Sequence, residues 1–85
     1  MYKIVLSRSA AKSLDRIPEK AVIQCGKIID SLKEEPRPVG CKKLTEQEGY
    51  RVRSGEYRIL YTIDDSQKIV SIFRIGHRRD VYRKL

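Results

Sequence analysis

The apolar positions change period once along the chain, dividing it into a helical half and a strand half. Residues 2–6 form a short apolar run containing Ile4 and Val5, which predicts a strand. Ser7 then offers an N-cap, and Ala10, Ala11, Leu14 and Ile17 recur at helical spacing until Pro18 ends the segment. A second helix is expected over residues 19–34, where Ala21, Val22, Cys25, Ile28, Ile29 and Leu32 make one apolar stripe and Lys20, Lys27, Asp30 and Lys33 fall outside it. Pro36, Pro38 and Gly40 mark a loop. The tight join at Pro18 favours an antiparallel helical hairpin.

From Tyr50 onward the period is two. Residues 50–53, 57–63 and 69–75 read as strands, separated by Ser54-Gly55 and by Asp64-Asp65-Ser66-Gln67. Both separators have turn compositions, so a three-stranded antiparallel meander is the economical arrangement. Gly76 closes the last strand, and residues 77–85 are expected to add one or two helical turns. Thr45-Glu46-Gln47-Glu48 fits the capping box of a short helical turn and is assigned no function. The order predicts a two-layer α+β domain spanning residues 1–85, with both helices on one face of the sheet and a wet opposite face.

Length and composition agree with one domain. At 85 residues, with 40% hydrophobic and 35% charged, the chain can bury one modest core and has no room for a second. No apolar run approaches the roughly 20 residues of a membrane span. The first residues lack a signal-peptide pattern, so no membrane role and a cytoplasmic location are expected. Cys25 and Cys41 have no C-x-x-C spacing and there is a single histidine, so neither a metal site nor a cofactor is expected. Cys25, on the apolar stripe, reads as a small buried hydrophobe.

Charge changes the picture more. The net charge is +8, from 19 Lys+Arg against 11 Asp+Glu. Arg51, Arg53, Arg58, Arg74, Arg78, Arg79, Arg83 and Lys84 fall in two short C-terminal segments whose acidic residues are Glu56 and Asp80. Such an excess favours a polyanion, because phosphate contacts gain affinity by releasing counterions. If Ser54-Gly55 is a two-residue turn, Arg53 lies opposite Glu56 and Arg51 opposite Arg58, and Arg51, Arg53 and Arg58 project from one face. Like charges facing each other oppose folding, and an anion would relieve them; a solvated face with Glu56 as partner is the bland alternative.

In the tail, Arg78 and Tyr82 are four apart and would share a helical face, as would Arg79 and Arg83. Cations beside a phenol or imidazole suit RNA cleavage by the substrate's own 2′-hydroxyl. That reaction needs a group to take the 2′-OH proton, charge to neutralise the phosphorane, and a donor for the 5′-oxygen. It requires no metal. His77 could supply the imidazole, although a lone histidine at a strand end also serves as a surface or capping residue. Asp64-Asp65 is explained by its turn, and no Gly-rich phosphate loop or G-x-S-x-G is present.

These residues form a familiar pattern. Tyr50-Arg51-Val52-Arg53-Ser54-Gly55-Glu56-Tyr57-Arg58-Ile59-Leu60-Tyr61, followed by Asp64-Asp65 and Ile75-Gly76-His77-Arg78-Arg79-Asp80-Val81-Tyr82, resembles the C-terminal half of the RelE branch of the RelE/ParE toxin superfamily. Lys12-Ser13-Leu14-Asp15-Arg16-Ile17-Pro18 and the stretch from Pro36 to Lys42-Lys43-Leu44 are generic matches to the same plan. The resemblance implies a microbial-ribonuclease-like fold and cleavage of mRNA in the ribosomal A site, leaving a 2′,3′-cyclic phosphate and a 5′-hydroxyl. It implies a cognate antitoxin that covers the basic surface and mediates any oligomerisation. Arg58, Arg78 and Tyr82 match catalytic positions of the family, with His77 the competing base. Arg51, Arg53, Arg79 and Arg83 would hold RNA phosphates. Arg51 and Arg53 stand where the family often has lysine, and arginine does not deprotonate in proteins, so these two can only bind charge. Two rivals differ in class: a ParE-like gyrase inhibitor acting by protein contact, and a non-catalytic RNA- or ribosome-binding protein.

Overall fold

A computed structural model describes residues 1–79 and Val81. The chain forms β1 (Lys3–Leu6), α1 (Arg8–Arg16), α2 (Glu19–Ser31), β2 (Lys42–Lys43), β3 (Tyr50–Ser54), β4 (Tyr57–Asp64) and β5 (Ile69–His77). Five strands make one sheet in the order β1-β5-β4-β3-β2. The expected meander is β3-β4-β5, antiparallel throughout; β1 joins it parallel to β5, with Lys3 beside Ile69 and Leu6 beside Ile72.

Local chemistry sets the helix limits. The Ser7 hydroxyl accepts from the Ala10 amide at 3.0 Å, which caps α1. Ile17 is extended (φ −104°, ψ 158°), as the residue before a proline prefers, and Pro18 opens α2 by accepting from the Val22 amide at 3.0 Å. α2 stops three residues earlier than its pattern suggests, in tighter turns where the Glu34 and Glu35 amides both reach the Ser31 carbonyl.

The core lies between the helices and one sheet face. Ala10 of α1 and Cys25, Ile29 and Leu32 beside and within α2 pack with Val52, Ile59, Tyr61, Val70, Ile72 and Ile75. Ala21, Val22 and Ile28 of the expected stripe are only half-buried. A bulge between Leu60 and Tyr61 leaves Phe73 between the rungs Leu60–Arg74 and Tyr61–Ile72. It thereby returns both Ile72 and Ile75, three apart, to the core side. Burial pushes the Cys25 thiol upward, in keeping with a small hydrophobe.

Two sequence expectations are corrected. Residues 45–48 form bends instead of a helical turn. The Leu44 amide is used by the Gly49 carbonyl at 2.9 Å, closing a loop between β2 and β3. The first hairpin turns on Gly55-Glu56, because Ser54 is the last residue of β3 and pairs with Tyr57. Gly55 has φ +60°, the value demanded at the first central position of a type II′ turn, so glycine must lead the turn. The turn moves by one residue and each residue's partner by two, so no side chain changes face.

The loop after α2 is fastened to the β4–β5 turn. Arg37 donates two hydrogen bonds to the Asp65 carboxylate (3.3 and 2.9 Å) and one to the Tyr50 hydroxyl, while the Tyr2 hydroxyl donates to Asp65 at 2.7 Å. The Arg37 guanidinium and Tyr2 hydroxyl hold the Asp65 carboxyl down to about 2. The buried Tyr61 hydroxyl donates to the Pro36 carbonyl at 2.7 Å, and burial pushes this phenol above its ordinary range. Asp64 alone plays the expected turn role, accepting from Ser66 and Gln67.

Candidate functional site

The face opposite the helices carries the arginines. Directly paired residues share a face. One cross-strand row therefore holds Arg51, Leu60 and Arg74, and the next holds Arg53, Arg58 and Gly76. Arg51, Arg53 and Arg58 are together, as expected, although Arg58 faces Arg53 and Arg51 faces Leu60. This face is not uniformly wet. Leu60 is fully buried on it, and Val81 is buried against Gly76, where an added Cβ would stand 3.4 Å from Val81.

Arg58 differs from its neighbours. Its Nε is buried and, among the described residues, has no hydrogen-bond partner. A guanidinium nitrogen held dry and unpaired is costly, and an anionic ligand would offset that cost. Arg53 beside it is exposed and brings a second positive charge to the same rung.

The turn of the first hairpin anchors the tail. The Arg78 amide donates to the Glu56 carbonyl at 2.8 Å, and Arg78 Nε lies 3.1 Å from Glu56 Oε2. The pair is half-exposed and contributes little stability, roughly 0–1 kcal/mol. Its effect is placement: Arg78 is tied to the end of the hairpin that also carries Arg53 and Arg58. The Val81 amide closes a turn on the His77 carbonyl at 2.9 Å.

His77 is not brought to the face of Arg51, Arg53 and Arg58. β5 continues to His77, so this side chain alternates from Ile75 and falls on the helix side of the sheet, opposite Tyr57. The two rings meet edge to face, 5.8 Å between centroids. Nδ1 accepts from the Arg79 amide at 3.2 Å, and Nε2 lies 3.8 Å from Glu56 Oε2. Arg79 is exposed in the turn that follows. Tyr82 and Arg83 lie outside the described residues.

Sequence reasoning missed the part played by Arg74, whose face depends on the Phe73 bulge, and the anchoring by Glu56, whose partner is distant in sequence. Among the described residues, no group of three or more His, Cys, Asp or Glu side chains could hold a metal ion.

Comparison with known proteins places the chain in a family. Residues 4–82 match the family described as ParE toxin of type II toxin-antitoxin system, parDE. Toxin RelG of Mycobacterium tuberculosis is 34% identical over 98% of this chain and 98% of its own length. Toxin RelE of the same organism is 33% identical over 96% of this chain and 87% of its own. The fold agrees with a chain of the toxin–antitoxin complex RelBE2 from Mycobacterium tuberculosis at a TM-score of 0.81, with 29% identity, covering 91% of this chain and 98% of that one. Sequence and fold converge: the chain belongs to the RelE/ParE superfamily of type II toxins.

Proposed function

We propose that this toxin is a metal-independent endoribonuclease that cuts mRNA on the ribosome and so stops translation. The observation that carries the reading is the buried Nε of Arg58, without a hydrogen-bond partner among the described residues, beside Arg53 on a single sheet face. That arrangement suits a phosphate about to gain charge, and the similarity to toxins RelE and RelG supports it.

In the proposed reaction the 2′-hydroxyl attacks the adjacent phosphorus and the bond to the 5′-oxygen breaks, leaving a 2′,3′-cyclic phosphate and a 5′-hydroxyl. Tyr82 takes the 2′-OH proton. Its phenol ordinarily titrates near 10, and positive charge brought close to it would favour the phenolate. Arg58 and Arg78 stabilise the phosphorane, and a hydrogen bond from Arg78 assists the departing 5′-oxygen, which takes its proton from water. Arg51, Arg53, Arg79 and Arg83 hold flanking phosphates. His77 lies on the other side of the sheet with Nδ1 taken by the Arg79 amide, which favours Tyr82 as the base. A cognate antitoxin covers the arginine face, as suits relatives solved as toxin–antitoxin complexes.

The test is brief induction in cells with primer-extension mapping of mRNA ends, followed by single-turnover cleavage on programmed ribosomes. Cuts within translated codons are expected. Tyr82→Phe should slow cleavage by roughly 10²–10⁴ with binding nearly intact. Intact mRNA together with an SOS response would instead assign the toxin to gyrase inhibition. Binding to ribosomes without any cleavage would leave only the non-catalytic reading.

A further inference from the structure

A second cationic site lies beyond the arginine face. β1 covers the edge of β5 only along residues 69–72; past that point α1 takes its place, with the Ser7 hydroxyl reaching the Phe73 carbonyl at 3.2 Å. Between α1 and this part of β5 runs a cleft of about 620 Å³, lined by Arg8, Lys12 and Arg16 from the helix and Arg74 from the strand, with Ser9 and Ser13 between them. We propose that this cleft is a binding groove for single-stranded RNA backbone, continuing the path of a strand held on the arginine face; the inference rests on the endoribonuclease reading.

Four observations carry it. First, Arg8, Lys12 and Arg16 repeat at i, i+4, i+8, so they form one row at intervals of about 6 Å along the axis, close to the separation of successive phosphates on an extended strand. Second, the row is locally unfavourable. Like charges at i, i+4 repel, and Arg8 opens the helix, where the backbone dipole disfavours a cation. The first turn of α1 contains no acidic residue, and none of the four cations makes an ion pair among the described residues. Third, Arg74 belongs to both sites, since it lines the cleft and shares a cross-strand row with Arg51. Fourth, the lining favours a nucleic acid over a protein segment. Its large apolar side chains among the described residues are Ile75 and Val81, both buried, whereas protein partners anchor in open apolar pockets.

The experiment uses purified toxin and a fluorescent twelve-nucleotide RNA methylated at every 2′-oxygen, which removes the nucleophile and leaves the phosphates. Anisotropy titrations are run from low to moderate salt for three proteins: wild type, Arg8→Gln/Lys12→Gln/Arg16→Gln, and a control with the same charge loss elsewhere, Lys3→Gln/Lys20→Gln/Lys27→Gln. The groove variant should bind about 10- to 100-fold more weakly. Its plot of log affinity against log salt should be shallower by about 2, the loss for three phosphates on a single strand. The control should stay within about 3-fold of wild type, and thermal unfolding should show the groove variant no less stable. Equal losses in both variants would reduce the effect to net charge and overturn the groove. A wild type that cleaves mRNA on ribosomes, with a groove variant that binds and cleaves as it does, would overturn the groove while leaving the endoribonuclease reading intact. A wild type that neither binds the RNA nor cleaves mRNA would remove both. Displacement of the RNA by a glutamate dodecapeptide at equal concentration would transfer the groove to an acidic protein segment.

Discussion

Arg53 stands directly across the β3–β4 ladder from Arg58. Two like charges on one rung oppose pairing by roughly 0.2–1 kcal/mol. Arg53→Gln is therefore expected to raise stability by that amount in urea titration, while weakening RNA or ribosome binding and flattening its salt dependence. A variant that lost stability would show that Arg53 has a structural partner.

Leu32 is fully buried directly after α2, whereas Ile28 is half-buried. Leu32→Ala should cost about 2–5 kcal/mol, the usual size of a large-to-small core change, and Ile28→Ala distinctly less. Urea denaturation of both variants measures the difference. Similar losses at the two sites would contradict this packing of the helix end.

Gly49 is buried with φ +136°, and a Cβ there would sit 2.9 Å from the Tyr61 carbonyl oxygen and 3.1 Å from Leu44 Cδ1. Gly49→Ala should cost roughly 1–3 kcal/mol through strain and backbone displacement. Gly26 provides the contrast, being exposed within α2 with nothing within 4 Å of the added atom. Gly26→Ala should stabilise by about 0.5–1 kcal/mol. Thermal melts of the pair should move in opposite directions.

Asp65 titrates near 2 in the folded protein because Arg37 and Tyr2 bind its charged form, whereas an unfolded aspartate titrates near 3.9. Its contribution is fully present above about pH 4 and fades as pH falls through about 2. Asp65→Asn should be less stable than wild type near neutrality, and the gap should close between about pH 4 and pH 2. A gap that stayed constant across that range would mean that the carboxylate is not what holds the Arg37 loop.

The fold was legible wherever hydrophobic period carried it. Both helices and the three meander strands follow from spacing, and the arginine face follows from alternation on β3 and β4. What escaped depends on geometry that composition does not encode. Ser54-Gly55 has turn composition, but a type II′ turn puts glycine first, which moves the turn to Gly55-Glu56. β2 is two lysines and has no period to detect. Ile75 before Gly76 reads as a strand end, yet β5 runs on to His77 and thereby turns the imidazole away from the face of Arg53 and Arg58. The Arg8, Lys12, Arg16 spacing is plain in sequence, but it acquires meaning only beside Arg74, which pairing at the bulge brings alongside.

The parallel seam between β1 and β5 sets an order on synthesis. Lys3 pairs with Ile69, 66 positions later, so β1 has no partner until β5 has been made. Ribosomes add about 5–20 residues per second, and that separation corresponds to roughly 3–13 s during which the sheet is unclosed. Arg58, and the turn that places Arg78, depend on the same late strand for their rungs. On the proposed function, a ribosome making this toxin carries a harmless fragment until β5 has emerged, and the nascent chain becomes dangerous only once that strand can pair.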